Sequence, residues 1–527
     1  MRVDSRRDVF SPTPRDGTVR TLLLVAVIVG SCTVAGVFNP ARSQPGDGSS
    51  PRLTQSVPSS SPVLYGLGES PFAPRPSTSC AAASCHGGGQ VGKVGSEHSS
   101  WAAEVFPSGP SDPHSRAYQV LFNPVSVEMA KKLNLGEAHR AERCLKCHAV
   151  LTHEEPDVRA AILAEGVGCS ACHGPAEKWL SVHYLPEWQT LSSRDKWLKY
   201  GFIPTKNLVA RTLNCASCHM GDSSRDVNHD LYAAGHPRIT FEAARLHYHP
   251  DYRHHWTEKT PQPDFEIRLW IVGQAAALRA ATDLLRARAE RALAHTPESA
   301  WPEFAGYSCY ACHQRVGEGA VRNSVSAMPR PLGVAGWEVL ANTGVAIAAQ
   351  YCSTAYPGLT PPTLTEVQRL RKLMDGPRPP SPATVRQQAT KALGELDAWL
   401  AELQTAEDGK RQPVPSGTTE QLLHALANNA LTRSAGGETL LADHDWDALT
   451  ANYLGCAAMY HARGGRMPSW QKPLDSLREQ LRFPALTSGQ WNSPADFTVQ
   501  KLNTLRENFI LLRNMSAPSA TPEGGKK

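Results

Sequence analysis

The sequence lacks a strong charge of either sign. Its 54 Lys and Arg residues are nearly balanced by 49 Asp and Glu, which leaves a formal charge of +5 in 527 residues. Such a balance gives no electrostatic ground for nucleic-acid binding, and we predict no nucleic-acid partner. With 41% hydrophobic and 20% charged residues, the composition is typical of a soluble globular protein.

The last 205 residues contain few residues that commonly carry chemistry. Only three of the 20 histidines lie there, and the stretch has no catalytic triad, phosphate-binding loop or metal-ligand spacing. Cysteine is also scarce outside a repeated motif that is described next. Of the 13 cysteines, only Cys32, Cys352 and Cys456 lie outside that motif. The chemistry of this chain must therefore be sought in its first 322 residues.

Ten cysteines belong to five motifs that each end in a histidine. Four motifs are strict Cys-x-x-Cys-His sequences, and a fifth (CAAASCH) has four residues between its cysteines. In chain order the five motifs are Cys80, Cys85 and His86; Cys144, Cys147 and His148; Cys169, Cys172 and His173; Cys215, Cys218 and His219; and Cys309, Cys312 and His313. This pattern is the attachment signature of c-type haem.

The motif supplies what covalent haem attachment requires. The two thiols add to the porphyrin vinyl groups, and the histidine that follows is held against the iron as its proximal ligand. Zinc sites and disulfides also use cysteine, but a zinc site does not need a histidine directly after the second cysteine each time, and a disulfide needs none. We therefore predict five covalently attached haem c groups.

Twelve further histidines lie between Cys80 and Arg322. Each iron needs one more ligand to become six-coordinate, so twelve histidines for five positions are enough for bis-histidine ligation throughout. Any one of them could instead be an ordinary surface residue. Their restriction to the segment that holds the motifs favours ligation.

The N-terminus predicts export from the cytoplasm. An arginine-rich leader precedes residues 21–38 (TLLLVAVIVGSCTVAGVF), an uncharged run typical of a secretory signal or of an uncleaved membrane anchor. Residues 41–43 offer a small-x-small cleavage site, and lipidation at Cys32 is a third alternative. All three alternatives predict a periplasmic or other extracytoplasmic location, where c-type haem is attached, with residues 21–38 as the membrane anchor if they are retained.

The fold class is predicted as mainly α: a loop-rich multihaem domain followed by an all-helical C-terminal domain. Five regions are expected: a signal peptide or anchor (1–43), a Pro/Ser-rich linker (44–78), a pentahaem domain (79–325), a helical domain (330–514) and a disordered tail (515–527). Within the last domain, Cys352 and Cys456 are either buried thiols or a disulfide.

The helices are predicted at the following positions: 126–133, 156–165, 178–184, 265–295, a run after a capping box at Thr363 and Glu366, 381–403, 422–431 after a box at Thr418 and Gln421, 445–463 and 493–514. Glycines 166, 168 and 174 flank the third motif and are expected to let the backbone approach the porphyrin.

The haem segment resembles the tetrahaem cytochrome c-554 family, relatives of hydroxylamine oxidoreductase and of pentahaem nitrite reductase. The resemblance lies in DPHSRAY around His114, CLKCH, GVGCSACHGPAEKWL, and NCASCH followed by NHDLYAAGHPR, over residues 79–256. It implies haems packed in close pairs that pass electrons. The fifth motif departs from the tetrahaem pattern. No Cys-x-x-Cys-Lys motif is present, which argues against the catalytic haem of pentahaem nitrite reductases, and five motifs rather than eight argue against an intact hydroxylamine oxidoreductase.

The resemblance also implies distal ligands. By position, His114 corresponds to the distal ligand of the His219 iron, His183 to that of the His86 iron, and His229 or His236 to that of the His173 iron. In the family's namesake the iron that corresponds to His148 has no distal protein ligand. Here spare histidines could fill that place: His139, His153, His247, His249 and His255.

Two functions remain open from the sequence. The first is an exported electron carrier with five mostly bis-histidine haems, which exchanges electrons with donor and acceptor proteins. The second is an oxidoreductase that acts on a small nitrogen or sulfur compound at a five-coordinate haem on His148, with a neighbouring histidine or Tyr184 as proton donor. The first is preferred because no substrate pocket is evident in the sequence.

Overall fold

Short helices and loops form the haem segment, and longer helices form the rest of the chain. The computed structural model describes residues 63–68, 70–88, 93–103, 105–106, 109–110, 112–247, 264–296, 299–313, 337–376, 378–433, 439–441, 445–465, 467–481 and 498–516. The fold is mainly α, as predicted. The predictions for the N-terminal segments 1–43 and 44–62, for residues 517–527 and for His249 and His255 lie outside the described residues.

The α-helices of the first part are α1 (Glu97–Ala102), α2 (Pro124–Lys132), α3 (Glu142–His148), α4 (Pro156–Ala164), α5 (Cys169–His173), α6 (Pro186–Thr190), α7 (Ser193–Tyr200), α8 (Leu208–His219), α9 (His229–Ala234), α10 (Ala243–His247), α11 (Phe265–Leu293) and α12 (Cys309–Cys312). Short 3-10 helices are η1 (Ser77–Cys80), η2 (Pro113–Arg116), η3 (Gln119–Phe122) and η4 (Phe304–Gly306).

The second part holds α13 (Val339–Thr343), α14 (Val345–Gln350), α15 (Cys352–Ala355), α16 (Thr365–Met374), α17 (Pro382–Asp408), α18 (Thr418–Asn429), α19 (Trp446–Ala462), α20 (Pro468–Gln480) and α21 (Val499–Met515). Two antiparallel hairpins complete the described elements: β1 (Val105–Phe106) with β2 (Gly109–Pro110), and β3 (Leu431–Arg433) with β4 (Thr439–Leu441).

Helix α11 lies at the centre of the core. It packs against α8 of the haem segment and against α14, α17 and α19 of the C-terminal part. The sequence predicts an amphipathic helix here, yet Ile271, Ala275 and Leu278 are fully buried and the charged Arg268 is only 1% exposed. Arg268 is tolerated because it forms ion pairs with Asp264 and Glu407.

One hydrophobic core crosses the boundary predicted between the haem domain and the helical domain. Residues of α8 and α11 share this core with residues of α16 to α21, and residues 61–527 form one compact unit. Hydrogen bonds reinforce the contact: Asn207 at the start of α8 donates to the Gln404 carbonyl and to Asp408, both on α17. Helix α17 thereby positions the helix that ends in the fourth motif.

Three predicted local structures are wrong, and one of them is the cap at Thr418, which is instead the first residue of α18. Residues 178–184 form turns rather than a helix. Thr363 does not cap α16, whose first backbone N–H groups instead donate to Glu395 of α17, at 2.7 Å from Thr365 N and 2.9 Å from Glu366 N. Local sequence cannot reveal a cap supplied by another helix, because it depends on tertiary packing.

Cys352 and Cys456 are buried free thiols. The indole Nε1 of Trp399 donates to the Cys352 sulfur at 3.3 Å. Among the described residues, no helix combines the length and apolar character needed to span a membrane.

Candidate haem-binding site

Each strict motif forms a turn of helix. The second and fourth motifs form the last turns of α3 and α8, and the third motif is the whole of α5. In the fifth motif, residues Cys309–Cys312 form α12 and His313 follows directly. Residues three apart lie on the same face of a helix, so the two cysteines of a motif present their thiols side by side. The histidine follows at the end of that turn. The local fold therefore brings together the two thiols and the imidazole that haem c requires.

The expanded first motif is built differently. Cys80 ends η1, and after Ala81 and Ala82 a turn over residues 83–86 leads to His86. The start of this segment is tied to the third motif, because Ser77 Oγ accepts from the Cys169 N–H at 3.0 Å and the Ser77 N–H donates to Glu165 at 2.7 Å. The extra two residues are thus accommodated by a loop that is anchored at its beginning.

The glycines beside the third motif allow close packing of backbone on backbone. Gly174 has φ 80°, and a Cβ there would lie 2.0 Å from the Gly201 carbonyl oxygen. Gly166 has φ 71°, and its Cβ would lie 2.7 Å from the His114 carbonyl oxygen. The described contacts of these two glycines are therefore to neighbouring protein segments, and the approach of their backbone to porphyrin stays a prediction.

A cavity of about 2850 Å³ runs through the haem segment. Its walls include the cysteines and histidines of the first, third and fourth motifs, together with Cys147 of the second. Pockets for single small ligands have volumes of about 300–1,000 Å³. The size and lining of this cavity suit several large cofactors side by side.

Four motif histidines each face a histidine from outside the motifs. The ring centres lie 6.1–6.5 Å apart in these pairs. The pairs are His86 with His183, His219 with His114, His148 with His236, and His313 with His229.

The separation of the rings matches that of two histidines on one iron. Each metal–nitrogen bond is about 2.0 Å long and each nitrogen lies about 1.1 Å from its ring centre, so shared coordination places the centres about 6.2 Å apart. Direct stacking of two imidazoles would bring them much closer. The donor set and the spacing therefore fit haem iron held between each pair.

The Nδ1 atoms of five of these histidines are already engaged. Those of His86 and His114 bond to Glu97 at 3.0 Å and Asp112 at 2.9 Å. The other three bond to backbone carbonyls: His148 to Ala117 at 2.9 Å, His183 to Leu180 at 2.8 Å and His236 to Pro237 at 2.7 Å. With Nδ1 donating, the opposite ring nitrogen Nε2 is left to bind a metal.

Burial favours the neutral form of His148 and of His236, which face each other. It lowers the pKa of His148 and of His236, and a neutral imidazole is the form that binds metal. For His114, burial lowers the pKa, but the hydrogen bond and charge of Asp112 outweigh that effect and leave it above its ordinary value. Asp112 is 1% exposed, so its charge acts in a poorly solvated site.

Thiols of different motifs lie in contact. The Cys80 thiol is hydrogen-bonded to that of Cys169, which together with burial raises the pKa of Cys80. Cys147 is bonded in the same way to Cys218. The third and fourth motifs are joined by a hydrogen bond from Asn214 Nδ2 to the Ala171 carbonyl at 3.0 Å.

The segment from Asn228 to His236 connects the second and fifth motifs. Asn228 Oδ1 accepts from Arg143 Nη2 at 2.6 Å, and Arg143 belongs to α3, which carries the second motif. The His229 N–H donates to Glu303 at 2.8 Å, just before the fifth motif. The two histidines of this segment face the motif histidines: His236 faces His148 of the second motif, and His229 faces His313 of the fifth.

The pairing of His229 and His236 differs from the expectation drawn from the resemblance. Neither faces His173, whose ring lies 6.2 Å from that of Phe202. The place opposite His148 is taken by His236 rather than by His139, which stacks on Phe122, or by His153, which is exposed.

Tyr184 is also misplaced for the role of proton donor at His148. It is 69% exposed and lies beside His183, at the first motif. Glu97 and Asp112 were not predicted as hydrogen-bond partners of His86 and His114. For Asp112 a signal existed, because an Asp two residues before His114 can cap η2 and also reach the imidazole, as it does here.

The ten motif cysteines are free thiols in the structure, so the disulfide framework left open by the sequence is not formed among them. Among the described residues, no cluster of three or more histidine, cysteine or acidic side chains is arranged to hold a metal ion.

Comparison with known proteins gives one result. Residues 81–174 match the family described as cytochrome c554 and c-prime, whereas no curated protein and no solved structure matches the chain. The match supports a c-type cytochrome that takes part in electron transfer, with covalently bound haem c and its iron. Residues 81–174, which hold the second and third motifs and all of the first except Cys80, are therefore similar to the cytochrome c554 and c-prime family.

Proposed function

We propose that this protein is an exported multihaem cytochrome that carries electrons through five haem c groups, of which at least four are bis-histidine ligated. The observation that carries the proposal is the set of four histidine pairs with ring centres 6.1–6.5 Å apart. Haem c supplies the one-electron chemistry, and this chain's residues attach, ligate and orient it.

The contacts between motifs support an order of electron transfer that differs from the order in the sequence. Cys80 touches Cys169, so the first haem site adjoins the third. Asn214 ties the third site to the fourth, and Cys147 touches Cys218, so the fourth adjoins the second. The Asn228–His236 segment joins the second site to the fifth. The resulting order is first, third, fourth, second, fifth.

Carriage of electrons is favoured over catalysis at the His148 iron. Catalysis there would need an open coordination position, but the His236 ring lies 6.5 Å from that of His148 with its Nδ1 already bonded. A sixth ligand from the protein keeps small substrates from the iron.

Export is part of the proposal and rests on the N-terminal sequence. Residues 21–38 are uncharged and apolar, and c-type haem is attached outside the cytoplasmic membrane. An uncleaved segment would anchor the protein to that membrane. Donor and acceptor proteins would then meet the haems on its outer side.

The test combines haem counting with replacement of His236. A pyridine haemochrome assay should find five c-haems per chain. A lower count would contradict the number five, and the expanded motif of Cys80 and Cys85 would be the first to be examined for a missing haem. His236→Ala should create one high-spin haem per chain and add one equivalent of carbon monoxide binding to the reduced protein. His153→Ala, which removes an exposed histidine at the cavity, is the matched control and should add none.

An unchanged spectrum in His236→Ala would contradict ligation by His236. Carbon monoxide binding at the His148 iron of the wild-type protein would instead favour the catalytic alternative.

A further inference from the structure

Helix α9 (His229–Ala234) carries two histidines that face different haem sites. His229 is its first residue and faces His313 of the fifth motif. His236 lies two residues after its end and faces His148 of the second motif. An isolated helix of six residues is not stable in water, so the contacts at its ends decide where it lies. The same contacts therefore set the positions of both imidazoles.

Asn228 holds the start of α9 and ties it to the second motif. Its Oδ1 atom accepts from the Leu231 N–H at 3.1 Å, which caps the helix, and from Arg143 Nη2 at 2.6 Å. Arg143 lies in α3, directly before Cys144. Asn228 is only 7% exposed, and a hydrogen bond from a charged donor to a buried acceptor is one of the stronger kinds in a protein. The position of α9 is thereby fixed relative to the helix that bears the second motif.

The end of α9 carries this constraint to His236. The His236 N–H donates to the Leu231 carbonyl at 2.9 Å, and Gly235 between them has φ 123°, which glycine adopts without strain. Leu231 is thus bonded to Asn228 through its N–H and to His236 through its carbonyl. One chain of hydrogen bonds therefore runs from Arg143 of α3 to the backbone of His236.

Glu303 holds the same start of α9 against the segment that leads to the fifth motif. Its Oε1 atom accepts from the His229 N–H at 2.8 Å and from the Ala305 N–H at 2.9 Å, and α9 packs against η4. Because Asn228 directly precedes His229, a shift of Asn228 would move His229 relative to the fifth motif. Through α9 it would also move His236 relative to the second motif.

We propose that Asn228 is a positioning residue for two haems at once, and that its bond to Arg143 makes the ligation of the second-motif and fifth-motif irons interdependent. The assignment rests on the proposed function, because it requires His229 and His236 to bind iron. Removal of either histidine opens one iron. Removal of the Asn228 side chain should instead weaken the sixth ligand of two irons together.

The experiment measures carbon monoxide binding to the reduced holoprotein, with the carbon monoxide bound per chain quantified. Carbon monoxide competes with the histidine for the sixth position, so a poorly held histidine is displaced more easily. Asn228→Ala should tighten carbon monoxide binding at two haems by roughly tenfold or more, because the bond it removes has a charged donor. In the His236→Ala background, the same change should affect one further haem. A change confined to one haem of the otherwise unaltered protein, or no change, would overturn the proposal.

Asn123→Ala is the matched control for the loss of a helix cap. Asn123 caps α2 by accepting from the Ser126 N–H at 2.8 Å, and its hydrogen bonds among the described residues are to η3 and α2. Helix α2 packs against α9, so the control lies close to the same histidines. Carbon monoxide binding should be unchanged in Asn123→Ala, and tighter binding at the same two haems would show that any local destabilisation has this effect and would overturn the proposal.

The conservative variant Asn228→Asp should rescue ligation. Its carboxylate keeps an oxygen to cap α9 and gives Arg143 a charged acceptor, so carbon monoxide binding should stay as in the wild-type protein. Binding as tight as in Asn228→Ala would contradict the role of that oxygen. If Asn228→Ala fails to fold, Arg143→Met breaks the bond to α3 and leaves the cap in place. It should affect the same two haems, and unchanged binding in Arg143→Met would overturn the proposal.

Failure of this inference is distinguishable from failure of the proposed function. His229→Ala and His236→Ala report separately whether each histidine binds an iron, and the haemochrome count reports whether haem is attached. If each of these variants opens one iron while Asn228→Ala affects fewer than two, the shared positioning by Asn228 alone is rejected.

Discussion

At the scale of single residues, the histidines that we propose as iron ligands differ in their hydrogen-bond partners, and this predicts a difference between the haems. The imidazoles of His86 and His114 donate to carboxylates, whereas those of His148, His183 and His236 donate to backbone carbonyls. A carboxylate makes the imidazole a more basic ligand and so stabilises ferric iron. The haems on His86 and His219 are expected to have potentials lowered by this effect.

Replacement of Glu97 tests this expectation. Glu97→Gln keeps the shape of the side chain but removes its charge, and it should raise the potential of the His86 haem by roughly 20–60 mV, the one-electron equivalent of about 0.5–1.4 kcal/mol. Redox titration of the holoprotein measures the shift. Glu154→Gln is the control, because Glu154 pairs with Arg75 rather than with a histidine. A fall in potential after Glu97→Gln would contradict the account.

Sequence alone predicts the thiols and proximal histidines but not the distal pairing. Covalent attachment requires its residues at fixed spacing, so the motif is visible in the chain. His236, which we propose as a distal ligand, comes to face His148 through the tertiary fold, 88 residues along the chain, and no local pattern records that contact. The resemblance to a family implied that His229 or His236 is the distal ligand of the His173 iron. In the structure His229 faces His313 and His236 faces His148.

At the scale of elements, helices with a local start and an apolar face were predictable. Ser381 caps α17 and Asp445 caps α19 through their own side chains, as the sequence indicated. Helix α18 departs from this pattern, because Thr418 is its first residue and its hydroxyl donates to the Pro415 carbonyl instead of capping the helix. Where a distant residue such as Glu395 supplies the cap, sequence gives no sign of it.

An ion pair between Asp226 and α11 holds the loop that leads to His229. The Arg288 guanidinium donates to both Asp226 oxygens, at 2.7 and 3.2 Å, and Arg291 also bonds to Asp226. Because Arg288 is only 6% exposed, Asp226→Ala would leave a buried charge without its partner. We expect a loss of about 3–5 kcal/mol in the free energy of unfolding.

Denaturant unfolding of the holoprotein measures this loss, with Asp230→Ala as control. Asp230 is exposed in the first turn of α9, so its removal should cost less than about 1 kcal/mol. Equal stability of the Asp226→Ala and Asp230→Ala variants would show that the ion pair does not support this loop.

At the scale of the whole molecule, the haem segment and the C-terminal helices share a core. The abrupt end of the haem motifs near residue 325 predicted a boundary between domains there, yet α11 packs against α8 on one side and α17 on another. A change in composition marks where the cofactor sites end. It does not mark where the hydrophobic core ends, since burial is decided by contacts between distant segments.

The relative orientation of the paired imidazoles gives a spectroscopic signature for the whole set. The ring planes are nearly parallel in His86–His183 and His229–His313, at 18° and 25°, and nearly perpendicular in His114–His219 and His148–His236, at 90° and 83°. Parallel planes separate two iron d orbitals and give rhombic low-spin signals. Perpendicular planes leave those orbitals nearly equal in energy and give strongly anisotropic signals.

Electron paramagnetic resonance of the fully oxidised holoprotein, with spins quantified per chain, tests the central claim most directly. The account predicts at least two low-spin haems with rhombic signals and at least two with strongly anisotropic signals. A high-spin ferric signal that integrates to two or more haems per chain, or low-spin signals of a single type, would contradict it.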